Sequence, residues 1–96
     1  MPVSTRLTLR GDYDVWRRDE LRLQLESVDV TREITIDLSG VTLMDAGSAA
    51  LLIALKHRAA QQSSNARIVL LNTPRIVKRV LDLCRAADLF VFAVDR

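Results

Sequence analysis

The chain has 96 residues, 49% hydrophobic and 27% charged, with a net charge of +2. This suits one domain over residues 1–96 with its own core. A single cysteine excludes an internal disulfide, and no run reaches the roughly 20 apolar residues of a membrane span. With Lys and Arg scattered and only one Trp, one Tyr and two Phe, the chain carries no nucleic-acid footprint.

The first predicted element is a strand over Thr5–Leu9, where Leu7 and Leu9 alternate with polar residues. Gly11 to Asp14 reads as a turn, and Asp14 is placed to cap a helix from about Val15 to Val28. Leu21, Leu25 and Val28 give that helix a core stripe, while Trp16 and Leu23 lie roughly opposite. Two explanations stand for this second pair. Trp16 folds over the first turn and covers a rim of the core, or Trp16 and Leu23 form a contact patch for a partner.

Glu33 to Leu38 alternates strictly and predicts a strand ended by Ser39-Gly40. Asp45 then opens a helix whose first half, Ala49 to Leu55, is apolar all round and so calls for cover on more than one side. Gln61 to Asn65 is a polar turn, and Arg67 to Leu71 a buried strand. Thr73-Pro74 reads as a helix start, with Thr as cap and Pro at the first helical position. Ile76, Val77, Val80 and Leu81 supply the core face, and Cys84 reads as a buried, inert thiol. Leu89 to Val94 is a last apolar strand. Strands alternating with helices imply an α/β fold. The expectation is a mixed, mostly parallel sheet of about four strands with three main helices.

Few residues offer chemistry. His57 is the only histidine and stands between Lys56 and Arg58, without metal-ligand spacing. Three glycines are too few for a nucleotide cradle. Asp12 and Asp14 form an acidic pair that turn and cap chemistry also explains, and Asp37 is placed to accept from loop amides. No catalytic residue, metal site or cofactor is expected, and an enzyme has only the acidic pairs in its favour. The informative stretch is Asp45-Ala46-Gly47-Ser48 at a helix start, where free N–H groups and the helix dipole favour negative charge. A capping carboxylate, a bound anion and a phosphoserine are the three candidates.

The run Ile34 to Ser48, with Asp37-Leu-Ser-Gly40-Val and then Asp45-Ala-Gly-Ser48, resembles the core signature of STAS domains, the anti-sigma factor antagonists. Gly11 to Asp14, Glu20-Leu21-Arg22 and Pro74 to Leu83 are similar to further parts of that family, so the resemblance runs from about Leu7 to Val94. It implies a cytoplasmic binding module of a small STAS-type fold. It also implies a partner, an anti-sigma factor of serine-kinase type, and a switch in which the kinase phosphorylates the second serine of Asp-Ser-Ser-Gly. The contact residues would be Asp14, Asp45, Ala46, Gly47, Ser48, Ala49 and Ala50. The departures are Ala46 and Gly47 where the family has serines, Ser48 where it has glycine, and no glycine near Arg85-Ala86 to end the last helix. Ser48 is then either a phosphoacceptor in shifted geometry or a structural hydroxyl. The resemblance also allows a STAS subunit of a lipid-transporting ABC assembly, with Trp16 and Leu23 against the ATPase.

Overall fold

The computed structural model describes residues 4–63 and 66–95. β1 (Ser4–Tyr13) runs into a 3₁₀ turn (Val15–Arg17) and α1 (Arg18–Glu26). β2 (Glu33–Met44), α2 (Ala46–Gln62) and β3 (Ile68–Leu71) follow, then α3 (Arg75–Leu83), a second 3₁₀ turn (Ala87–Leu89) and β4 (Val91–Ala93). The sheet order is β1-β2-β3-β4 and every pairing is parallel. Each crossover steps in the same direction, so right-handed connections set all three helices on one face.

The strand alternation agrees. Leu9, Ile34, Ile36, Leu38, Ile68 and Leu70 meet Leu21 and Leu25 of α1, Leu52 and Leu55 of α2, and Val77 and Leu81 of α3 in one core. The alternate positions form rows on the other face: Arg6, Thr35, Val69 and Val91, then Thr8, Asp37, Leu71 and Ala93. Arg6 pairs with Asp37 there at 3.5 Å.

The expected turn at Gly11 and the expected stop at Ser39-Gly40 are both continuous strand. Two register shifts make this possible. From Thr8↔Asp37 to Arg10↔Gly40, two steps of β1 match three of β2, and a second slip separates Gly11↔Val41 from Asp12↔Leu43. Gly11 takes a φ of +82°, which side-chain-bearing residues rarely adopt. The bulges keep the pair together to Tyr13↔Met44. This delivers the ends of both strands to one place.

Other expectations change at helix ends. The predicted helix at Val15 begins as a 3₁₀ turn and becomes α-helical only at Arg18, with Val28 buried beyond its end. Pro74 is the cap residue of α3 rather than its first helical residue, since its ψ of 152° is extended. The Thr73 hydroxyl caps nothing and is buried without a partner. Cys84 is exposed rather than buried, because it sits at the cap position closing α3. Arg85 takes a φ of +54° at the position after the cap, where a glycine is usual. The Ala86 N–H then reaches back to Leu81 O at 2.9 Å. α2 has the expected cover on more than one side, since α1 and α3 both pack against it and Leu51 and Ile53 also lie against the core. Ala49, Leu52, Leu55 and Ala59 are buried, while Ala46, Ala50 and Ala54 face out.

These two left-handed residues predict opposite effects. Arg85→Gly should raise unfolding stability by about 0.5–1 kcal/mol, because glycine adopts this conformation freely. Gly11→Ala should lower it by about 1 kcal/mol or more, since its Cβ would also stand 2.9 Å from Arg17 Nη1. Urea denaturation of the two variants measures both.

Candidate functional surface

The end of β2 and the start of α2 are joined by Asp45. Its backbone is extended (φ −85°, ψ 171°), so its side chain can turn back over the first helical turn. Oδ1 accepts from the Ser48 N–H at 2.7 Å. Oδ2 accepts from Arg18 Nη2 at 2.8 Å. Partial burial pushes this carboxyl upward in pKa. The backbone N–H of Ser48, its side chain and the Arg18 guanidinium together outweigh burial, and the net direction is down. The capping alternative for Asp45 is therefore the one its geometry shows.

Ser48 is wholly buried. Its hydroxyl donates to Tyr13 O at 3.2 Å, and the Asp45 N–H donates to the same carbonyl at 3.0 Å. Ala49 is also wholly buried. Of the seven expected contact residues, Ser48 and Ala49 thus face the core, because they lie on the side of α2 that carries Leu52 and Leu55. Ala46 and Ala50 are exposed, and Asp14, Asp45 and Gly47 are half-buried.

Asp14 caps the 3₁₀ turn by accepting from the Trp16 N–H at 3.0 Å. Trp16 is 90% exposed, Val15 61% and Leu23 68%. Trp16 therefore does not fold over the core, and it and Leu23 both face solvent. The two arginines that follow Trp16 fasten the turn to different elements. Arg17 Nη1 donates to Arg10 O at 2.6 Å and Asp12 O at 3.2 Å. Its guanidinium lies over the Tyr13 ring at 4.2 Å, and Nη2 meets Glu20 at 2.6 Å. Arg18 reaches the other way, to Asp45 and over Gly47. A Cβ built on Gly47 would lie 2.5 Å from Arg18 Cζ and 2.9 Å from Nε.

Neither arginine stood out in the sequence. The signal available was their adjacency to the Asp14 cap, but their partners lie as far as 27 residues away. The acidic pair Asp12 and Asp14 is not convergent. Asp12 accepts from the Thr42 hydroxyl and Asp14 serves the cap. Asp37 accepts from the Ser39 N–H at 2.9 Å, as expected, and that bond is the chief cause of its lowered pKa. Among the described residues no group of three or more His, Cys, Asp or Glu could hold a metal, and no helix is long and apolar enough to cross a membrane.

A protein-family model described as "Mlab, STAS domain" matches residues 2–91 of the chain. No curated protein matches it. Among solved structures, the anti-sigma factor antagonist SpoIIAA in its unphosphorylated form superimposes with a TM-score of 0.72. The match covers 97% of this chain and 82% of that one at 17% identity, a likeness of fold.

The Asp45 contacts set a pH dependence. A carboxylate with a lowered folded pKa adds stability that is present above its unfolded value, about 3.9. That stability is lost as pH falls through the folded value. Asp45→Asn keeps a capping oxygen and removes the charge, so its stability should fall less than wild type between about pH 5 and pH 2. Thermal unfolding across that range checks this.

Proposed function

The chain belongs to the STAS domain family, and we propose that it is a protein-binding module rather than an enzyme. Its docking surface is the turn from Asp14 to Arg18 together with Asp45, Ala46, Gly47 and Ala50 at the start of α2. The partner is an anti-sigma factor of serine-kinase type. Sequestering that factor would free a sigma factor and so regulate transcription. The observation that carries this reading is the exposed Trp16 in a turn whose next two residues, Arg17 and Arg18, bond β1 and the Asp45 cap. An exposed tryptophan on a bonded turn is the kind of feature on which binding energy concentrates.

The expected phosphate switch fares differently at its two positions. Gly47 has no hydroxyl. Ser48 has one, but it points inward, and a phosphate there would bring close to two negative charges into a buried site. Phosphorylating Ser48 requires the first turn of α2 to open. We therefore favour a surface that binds without being released by phosphorylation at Ser48.

The same exposed Trp16 and Leu23 support a second reading, a STAS subunit held permanently against the ATPase of a lipid-transporting ABC assembly. Affinity capture from the native cell, with the retained proteins identified by mass spectrometry, separates the two. Retention of a kinase-like anti-sigma factor supports the first, and of an ATPase with a permease the second. Retention of neither refutes both.

Two substitutions localise the surface. Trp16→Ala and Ala50→Glu should each weaken retention of the partner by about tenfold or more, a loss of ~1.4 kcal/mol. Both positions are exposed, so unfolding stability should stay within about 0.5 kcal/mol of wild type. Titration calorimetry and urea denaturation measure the two quantities. Ser48→Glu is a different case. It buries a carboxylate with no cationic partner and should cost about 3 kcal/mol or more, unfolding the domain rather than mimicking a phosphate.

A further inference from the structure

Arg18 and Asp45 form a partly exposed pair, with side chains 31% and 35% accessible. Pairs of this kind contribute little stability, about 0–1 kcal/mol. The energetic return does not explain why a guanidinium is folded back against a glycine. Its Nε–H is buried with no acceptor, which is itself unfavourable. Geometry gives a better account. Arg18 Cζ stands 2.5 Å from where a Cβ at position 47 would be, closer than real Cβ atoms come to a neighbour. A Cβ at residue 47 would displace the flexible end of Arg18 from this position, and Arg18 in turn covers the helix start.

We propose that Arg18 is the positioning residue of the docking surface. Its guanidinium fills the space above Gly47 and holds the Asp45 carboxylate against α2. It thereby fixes one shape that no modifiable side chain at position 47 can enter without displacing it. This rests on the docking role proposed above for the α2 start. Its specificity consequence is direct. A partner meets a neutral Arg18–Asp45 pair, not a lone carboxylate, and a partner that needs a bare acidic group at this spot is excluded.

The coupling can be read on the isolated protein. Arg18→Ala, Arg18→Lys, Gly47→Ser and the doubles Arg18→Ala/Gly47→Ser and Arg18→Lys/Gly47→Ser are compared. The readouts are the urea midpoint, the carbon-detected titration of the Asp45 carboxyl and the Arg18 Nε–H resonance. Gly47→Ser should shift the Nε–H resonance and raise the Asp45 titration midpoint in the same direction as Arg18→Ala. The alanine double should change neither midpoint further. In the Arg18→Lys background the flexible ammonium can leave the space over residue 47 while keeping its charge, so there the serine should have little effect. An Asp45 titration unchanged by Gly47→Ser, or effects that add in the double, overturns the proposal. Failure of the wild-type chain to retain any partner overturns the docking role and leaves the coupling standing, so the two are separable.

Discussion

The structure around the proposed docking surface depends on one carboxylate. Asp45 divides its two oxygens between the Ser48 N–H and Arg18 Nη2. The first bond starts α2. The second ties that start to the turn carrying Trp16, across a gap of 27 residues in sequence. Hydrogen bonds to a charged acceptor are the stronger kind. Here both are made at the junction where β1, β2, α1 and α2 converge. Without the carboxylate, the first N–H groups of α2 lose their cap and the turn loses its anchor on that side.

What makes the junction possible lies upstream, in the slipped pairing of β1 with β2. A regular parallel ladder would not bring Tyr13 O within reach of both the Asp45 N–H and the Ser48 hydroxyl. Two extra residues of β2 are absorbed between Thr8 and Asp12, and the two strands still end side by side. One carbonyl then receives both donors. Arg17 completes the arrangement by bonding the carbonyls of Arg10 and Asp12 beside the bulge. Trp16 donates its N–H to Asp14 in the same turn, so a large apolar side chain faces solvent on a hydrogen-bonded backbone.

Much of the architecture was legible in the sequence. The alternation of Ile34, Ile36 and Leu38 and the stripe of Leu21 and Leu25 name their elements and faces directly, and the STAS resemblance was sound. The all-parallel order goes a little beyond the mostly parallel sheet expected. The errors have physical causes. Gly11 and Ser39-Gly40 carry turn chemistry, yet in a bulged parallel pair the same residues continue the strand. Ala46 to Ala50 gives no amphipathic contrast. Nothing in that run says that Ser48 and Ala49 turn inward while Ala46 and Ala50 turn out. Cys84 has the residue type of a core position, but the helix ends at that residue and leaves it exposed. Arg17 and Arg18 act through tertiary contacts that no local pattern encodes.

The sequential strand order has a consequence for how the molecule divides its labour. The contacts that build the surface fall between Arg10 and Ala50, within the first two strand–helix units. β3, α3 and β4 supply no contact residue. They close the apolar face of β2 and bury Ile68, Leu70, Val77 and Leu81 against it. β4 has three residues and pairs only with β3, so it can fray at the far edge without breaking a bond at the Asp45 junction. The C-terminal half is therefore a backing plate: it fills volume behind β2, whereas the residues near Asp45 also set shape and charge.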